Sequence, residues 1–359
     1  MKCCTIVGAR PQFIKTAALS RVLRQAHKDV LIHTGQHYDY NMSKTFFDEL
    51  SIPTPDYNLG ISGGSHGAMT GRMLEAVEDV LIKEKPELVI VYGDTNSTIA
   101  GALAAVKLHI PVCHVEAGCR MGTFINPEEV NRVLTDRIST LLMCTSKHDV
   151  ENLRREGITN GVHNTGDVMY DALMYYSNTL PDSVAEPLFD LNGVRVSLPD
   201  KYYLLTCHRE ENTGSDIPLT EVLKAMNSLD APTIYLVHPR NKESAQRIKT
   251  VNGFNNILLI QPVGYLSSLY MVKYAEKIVT DSGGLQREAF AFNRQCVVLL
   301  EQAIWPQIMQ HSIALLCKPV TKDILACLSV VPDFTKKTNP FGDGHAAEKI
   351  VDIINTFKP

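Results

Sequence analysis

PELVIVYGDTNSTIAGALAAVKLHIPVCHVEAG, residues Pro86–Gly118, is the stretch whose pattern decides the fold of this 359-residue chain. Two short apolar runs, PELVIVYGD and IPVCHVEAG, lie on either side of the helix-like segment NSTIAGALAAVKLH. Parallel strands need a long crossover connection, which is usually a helix, so this alternation is typical of a parallel sheet. The stretch therefore predicts one strand–helix–strand unit of an α/β fold.

The same alternation extends in both directions along the chain. Before this stretch, strand-like CCTIVG and DVLIHTG alternate with helix-like PQFIKTAALSRVLRQ and NMSKTFFDEL. After the helix-like VMYDALMYYSNTL, the alternation restarts at KYYLLTCHR and continues through APTIYLVHPR, NILLIQPV, KIVTDSGG and QCVVLLEQ. We expect two Rossmann-like domains, one formed by residues 1–168 with a terminal helix over 343–359 and the other by residues 169–342.

The composition of the chain argues against several classes of partner and ligand. A hydrophobic content of 45% and a net charge of −4 are ordinary for a globular protein and argue against nucleic acid or an anionic membrane as partner. We see no secretory signal and no apolar run near the ~18 residues of a membrane span, so we expect a cytoplasmic protein. The nine cysteines form no C-x-x-C pair and H-E-x-x-H is absent, so we predict no metal.

Polar groups follow the predicted strands in both halves, and ligands of open parallel sheets bind beyond those strand ends. This places a predicted cleft between the two domains. Asp94 and Glu116 end two strands joined by one helix, and Glu128 follows Pro127 at a helix start. Clustered carboxylates separate their pKa values, which suits proton removal and return at carbon. The alternatives are that Asp94 caps a helix and that Glu128–Glu129 are solvated.

Anion-binding groups are predicted at four other strand ends. In TDSGGLQREAF, Ser282, Gly283 and Gly284 open a helix whose N–H groups suit a diphosphate, with Glu288 one turn on for a ribose hydroxyl. In GARPQFIK, Arg10 and Lys15 suit phosphate, and in CHREEN and LVHPRN a histidine and an arginine follow a strand. The alternatives are a plain strand–helix connection, a solvated helix start and structural histidines.

The motifs taken together resemble one family. GARPQFIK, TGQHYD, VYGDTNSTIAGALAA, HVEAG.R, PEE.NR..TD, TGDVMYDAL, HREEN, HPR and TDSGG.Q.EA occur in the order seen in non-hydrolysing UDP-N-acetylglucosamine 2-epimerases. The resemblance implies a GT-B-like fold with UDP-sugar in the interdomain cleft. It implies UDP-GlcNAc to UDP-ManNAc conversion through a 2-acetamidoglucal, no cofactor and a homodimer.

The resemblance also implies roles for individual residues. Asp94, Glu116 and Glu128 would be catalytic acids, and His208 would act with Arg10 and Lys15 at the phosphates or the leaving group. Ser282, Gly283 and Gly284 would bind the diphosphate, Glu288 the ribose, and the backbone near Val263 the uracil.

One run departs from the family pattern, R-D-x-T-E-x-x-E. Here LEQAIWPQ has Leu300 for Arg, Ala303 for Thr and Ile304 for Glu. The departure leaves other outcomes open: a different UDP-acetamido sugar, hydrolysis with release of UDP and free sugar, or nucleotide-sugar binding without turnover. A glycosyltransferase of the same architecture is disfavoured, because it needs no set of three acids at C2.

Overall fold

The structure, a computed structural model, describes residues 1–36, 47 and 49–359. The chain forms two compact units, Met1–Tyr175 with Asn339–Pro359, and Tyr176–Thr338. The division falls inside the helix that the sequence places at the junction of the two halves. Seven of the ten residues of the predicted helix NMSKTFFDEL lie outside the described residues. The last three residues of TGQHYD also lie outside them.

In the described part of the first unit, seven parallel strands form one sheet in the order β3-β2-β1-β4-β5-β6-β7. Their bounds are β1 Lys2–Val7, β2 Lys28–His33, β3 Tyr57–Asn58, β4 Leu88–Tyr92, β5 Val112–Ala117, β6 Leu141–Cys144 and β7 Val162–Asn164. The helices are α1 Arg10–Ala26, α2 His66–Glu84, α3 Asn96–Lys107, α4 Pro127–Ile138, α5 Lys147–Arg155, α6 Val168–Ser177 and, from the chain end, α13 Ala346–Thr356. The boundary between the units thus falls within α6.

The quoted stretch forms the centre of this sheet. Every residue of β4 and β5 is buried, as expected for parallel strands covered on both faces. Helix α3 packs closely on the sheet, since a Cβ at Gly101 would lie only 2.6 Å from Ile6 Cδ1. A larger residue would have to displace the Ile6 side chain, so glycine allows this close packing of the helix that follows Asp94.

The second unit repeats the architecture. In the described chain its main sheet has six parallel strands in the order β12-β11-β10-β13-β14-β15. Their bounds are β10 Tyr203–Thr206, β11 Thr233–Leu236, β12 Ile257–Ile260, β13 Lys277–Thr280, β14 Gln295–Val298 and β15 Ala314–Leu316, and an antiparallel pair is formed by β8 Leu188–Phe189 and β9 Arg195–Val196. The helices are α7 Glu210–Thr213, α8 Asp216–Asn227, α9 Lys242–Asn252, α10 Tyr265–Tyr274, α11 Gly283–Ala291 and α12 Thr321–Ser329.

The predicted fold class is confirmed in its elements, because the chain forms two Rossmann-like parallel sheets with intervening helices. In the part of the chain that the structure describes, no helix combines the length and the apolar character needed to cross a membrane.

Candidate active site

Glu116 lies at the carboxyl end of β5, where the strand is irregular. The pairing of β5 with β6 shifts between Val115 and Ala117, and Glu116 has a positive φ of 73°. Bulges redirect a side chain, and a non-glycine residue in this conformation is uncommon. Glu116 is buried, and its Oε1 lies 2.7 Å from Nζ of the equally buried Lys15. The apolar strand β5 can therefore end with the buried carboxylate of Glu116, because Lys15 of α1 supplies a compensating positive charge.

Gly93, at the end of β4, lies against this ion pair. It has a φ of 62°, and a Cβ built there would be 3.1 Å from Lys15 Nζ and 3.3 Å from Glu116 Oε1. The turn thus needs glycine both for its backbone conformation and for the close approach. Because Asp94 follows Gly93 directly, the ends of β4 and β5 bring the predicted acids Asp94 and Glu116 to one edge of the sheet.

Arg132 of α4 holds Asp94 in place. The buried Arg132 forms an ion pair with the Asp94 carboxylate and donates to Glu129 Oε2 at 2.6 Å. Asp94 does not cap α3, so that alternative is wrong: the capping side chain is Thr95, which accepts from the Thr98 N–H at 3.3 Å. Arg132, which the sequence did not single out, is thus a partner of the candidate site.

The adjacent acids Glu128 and Glu129 differ in environment. Glu129 is buried and accepts hydrogen bonds from the N–H groups of Met121 and Gly122 at 2.9–3.0 Å, so it orders the loop before α4. Glu128 is exposed in the first turn, where its N–H donates to Asn126 Oδ1 at 3.0 Å. The alternative of two solvated glutamates is therefore wrong for Glu129, and Glu128 is the acid accessible to a ligand.

Gln12 joins the loop after β1 to the end of β4. Its Oε1 accepts from the N–H groups of Gly8 and Ala9 at 2.7 and 3.0 Å, and its Nε2 donates to Tyr92 O at 2.9 Å. Arg10, half-buried at the first position of α1, lies within the segment that Gln12 orders. No pattern in the sequence singled out this glutamine.

In the second unit, Asp281 organises the group that the sequence predicted to bind anions. This buried carboxylate, directly after β13, accepts from the backbone N–H groups of His208 and Arg209 at 2.9 Å and from Asn212 Nδ2 at 3.0 Å. His208 Nδ1 also lies 2.9 Å from Asp281 Oδ1. Burial opposes ionisation, but these hydrogen bonds and His208 lower the pKa of Asp281 to about 2. Asp281 stands in the predicted motif but was not proposed as a site residue.

The glycine turn follows Asp281. Ser282 caps α11 by accepting the Leu285 N–H at 3.5 Å, and Gly283 and Gly284 form the first turn. Trp305 Nε1 donates to Gly283 O at 3.0 Å, and a Cβ at Gly283 would meet Ile304 Cδ1 at 3.5 Å. The departing run LEQAIWPQ therefore packs its buried Ile304 and Trp305 beside the predicted diphosphate site.

The remaining predicted residues also lie in the second unit. Glu288 is buried in α11, one turn after the glycines, and Arg287 stacks on the Trp305 ring at 4.2 Å. Val263 lies in the loop between β12 and α10, where the Gly264 N–H donates to Glu186 Oε1 at 2.5 Å. The described residues contain no group of three or more histidine, cysteine or acidic side chains arranged to hold a metal ion.

Some of the candidate residues are in contact within each unit. The first unit brings Lys15, Glu116 and Asp94 together around Gly93. In the second unit, His208 pairs with Asp281, and Asp281 directly precedes Ser282 in the chain.

The chain is similar to known proteins over its whole length. A family model described as UDP-N-acetylglucosamine 2-epimerase matches residues 21–355. A Methanococcus maripaludis protein described as a UDP-N-acetylglucosamine 2-epimerase homolog is 44% identical, over 99% of this chain and 100% of that protein. A Pseudomonas aeruginosa UDP-2,3-diacetamido-2,3-dideoxy-D-glucuronate 2-epimerase is 39% identical, over 99% of both chains.

Solved structures show the same likeness in the fold. The crystal structure of Methanocaldococcus jannaschii UDP-GlcNAc 2-epimerase in complex with UDP-GlcNAc and UDP has a TM-score of 0.88 to this chain. The two are 36% identical, and the match covers 99% of each chain.

Proposed function

This chain belongs to the UDP-N-acetylglucosamine 2-epimerase family, and from that premise we propose that it interconverts UDP-GlcNAc and UDP-ManNAc by inverting carbon C2. The observation that carries the proposal is the ion pair of Glu116 with Lys15, formed at a bulge at the end of β5. Unusual backbone held in place by its surroundings is typical of functional sites. A carboxylate at a strand end is suitably placed to exchange a proton with a sugar carbon.

The reaction that we propose has two balanced halves. The C2 proton passes to a carboxylate, the C1–O bond to UDP breaks, and a C1=C2 double bond forms, which gives a 2-acetamidoglucal. The diphosphate oxygen then adds to C1 again while C2 receives a proton on the opposite face. No electrons are gained or lost overall, so the chemistry needs only acids, bases and charge stabilisation at the leaving group.

The first unit would supply the proton transfers. We assign them to Asp94, Glu116 and Glu128, with Lys15 compensating the charge of Glu116 in its buried position. Arg132 fixes the Asp94 side chain, so that acid is held before substrate arrives.

The second unit would bind the nucleotide. Asp281 engages Nδ1 of His208, which leaves Nε2 to stabilise the departing diphosphate. Ser282, Gly283 and Gly284 offer backbone N–H groups to the same diphosphate at the start of α11. We further assign Glu288 to the ribose, the backbone near Val263 to the uracil, and Arg10 of the first unit to a phosphate.

A second candidate substrate is another UDP-acetamido sugar. The Pseudomonas aeruginosa relative named for a diacetamido glucuronate is 39% identical, close to the values for relatives named for UDP-GlcNAc. The buried Ile304 and Trp305 beside Gly283 also change the surroundings of the predicted diphosphate site. Hydrolysis of the intermediate and binding without turnover are further outcomes of the same test.

The deciding experiment is incubation with UDP-GlcNAc in deuterated water, followed by proton NMR and separation of the products. Deuterium at C2 together with UDP-ManNAc is the expected result. Release of free UDP and free ManNAc would show that the enzyme hydrolyses the substrate and does not epimerise it. Tight binding without exchange would contradict the proposed turnover of UDP-GlcNAc, and exchange only with a diacetamido or 6-deoxy UDP-sugar would select the second candidate.

We also propose that the enzyme is a cytoplasmic homodimer. All nine cysteines are free thiols and eight of them are buried, which suits a reducing compartment. The dimer rests on the family resemblance, and light scattering after gel filtration tests it: a mass near 40 kDa, that of the 39.8 kDa monomer, would contradict it.

A further inference from the structure

His114 lies inside the first unit, two residues before Glu116, and is fully buried in β5. Its Nδ1 lies 2.7 Å from Asp136 Oδ1, and its Nε2 lies 2.7 Å from the carbonyl oxygen of Gly93. The ring therefore connects α4, which carries Asp136, with the turn that carries Gly93 and Asp94. None of the roles assigned above uses this histidine.

The two partners determine where the ring protons are. The Gly93 carbonyl can only accept, so Nε2 must carry a proton. Asp136 also accepts from Arg120 Nη1 at 2.7 Å and from the Gly118 N–H at 3.1 Å. Burial opposes ionisation of Asp136, but His114 and Arg120 lower its pKa.

The surrounding charges alternate in sign. Glu156 binds Arg120 through two hydrogen bonds of 2.6 and 2.9 Å, Arg120 binds Asp136, and Asp136 binds the ring of His114. On the other side, Gly93 separates the ring from the Lys15–Glu116 ion pair. The Asp136 carboxylate therefore meets the ring in a fixed position, because Arg120 and the Gly118 N–H hold its other oxygen, Oδ2.

We infer that His114 is a positioning residue that fixes the Gly93–Asp94 turn beside Glu116. Helix α4 then holds the turn at two points: Arg132 binds the Asp94 carboxylate, and Asp136 acts through His114 on the Gly93 carbonyl. Charge-assisted hydrogen bonds fix geometry more strongly than neutral ones do. The effect on turnover rests on the proposed function, whereas the hydrogen bond from Nε2 to the Gly93 carbonyl does not.

The first test is nitrogen NMR of protein labelled with ¹⁵N-histidine. We expect the His114 signals, identified by their loss in His114→Asn, to show a proton on Nε2, as the hydrogen bond to the Gly93 carbonyl requires. A wild-type ring with a bare Nε2 would overturn the inference, and this result is independent of any activity.

The second test compares two substitutions by C2 deuterium exchange on UDP-GlcNAc. Asparagine places an amide near Nδ1, whereas glutamine can reach the Gly93 carbonyl as Nε2 does. We expect His114→Asn to lower kcat about 10- to 100-fold with KM changed less than about threefold, because misplaced acids cost rate rather than binding. We expect His114→Gln to recover part of that loss.

The control is His345→Asn, a change at an exposed histidine before α13 that should leave kcat unaltered. Equal losses in His114→Asn and His114→Gln, or a rise in KM alone, would contradict the positioning role. Wild-type protein without exchange on UDP-GlcNAc would count against the proposed function, and the NMR result would still decide whether Nε2 donates to the Gly93 carbonyl.

Discussion

The two units hold their candidate residues by different means. In the first unit, acidic and basic side chains pair with one another inside the protein, as Lys15 does with Glu116 and Arg132 with Asp94. In the second unit, one buried carboxylate, Asp281, accepts mostly neutral donors and lies beside a glycine turn that opens a helix. Charges are compensated within the first group, whereas the second, in our proposal, offers N–H groups to an outside anion.

This difference indicates a division of labour. Paired charges keep acids in fixed positions, and fixed positions are what proton transfer to carbon requires. A helix start with small residues allows close approach of a phosphate, which is what nucleotide binding requires. Substitutions in the first group should therefore lower turnover, and substitutions in the second should weaken UDP binding.

Glu116→Gln should give the largest effect on catalysis. Glutamine keeps the shape but cannot accept the C2 proton, so C2 deuterium exchange should fall about 10²- to 10⁴-fold. The UDP dissociation constant from calorimetry should change less than about threefold. Glu151→Gln, a change at a half-buried glutamate of α5 that pairs with Arg154, is the matched control. Undiminished C2 exchange would contradict a role of Glu116 in proton transfer. It would also contradict the division of labour between the two units.

Asp281→Asn should weaken both UDP binding and the fold. Its donors lose a charged acceptor, so we expect UDP affinity to fall about tenfold and the free energy of unfolding to fall by about 2–3 kcal/mol. Calorimetry and urea unfolding measure the two losses. Wild-type affinity for UDP in this variant would contradict the role of Asp281 in binding.

The stability part of this prediction depends on pH. Asp281 has a pKa of about 2 in the folded protein against an ordinary value of 3.8. Because the folded value is lower, its stabilisation, on the order of 2 kcal/mol, is complete above about pH 4 and is lost as the pH falls towards 2. The stability gap between wild type and Asp281→Asn should therefore narrow over that range, and a constant gap would contradict the assignment.

Gly283→Ala should give the smallest but sharpest effect. The added Cβ meets Ile304 and Trp305 at 3.5 and 3.6 Å, which are ordinary contacts, so the fold should be unchanged or more stable by up to about 1 kcal/mol. A methyl group at the helix start should nevertheless hinder the diphosphate and weaken UDP binding about tenfold. Gly71→Ala, in open space on α2, should change stability alone. Equal UDP affinity in both variants would contradict the proposal that the diphosphate binds at Gly283.

The candidate site was partly predictable from the sequence. Ser282–Gly284 and Glu288 belong to one local motif, so a strand, a turn and a helix start were visible in consecutive residues. The partners of the acids were not visible, because Lys15 and Glu116 are 101 residues apart and Asp94 and Arg132 are 38 apart. The different environments of Glu128 and Glu129 were equally hidden, since neighbours in sequence face different surroundings on a helix.

The sequence by itself determined the alternation of strands and helices, the two halves, the glycine turn and the family, because these depend on periodicity and on the order of short motifs. The tertiary structure decided which strand ends adjoin, which acid pairs with which base, and that His114 lies between Asp136 and Gly93. Side-chain pairing depends on the order and register in which distant segments pack, and local periodicity contains neither.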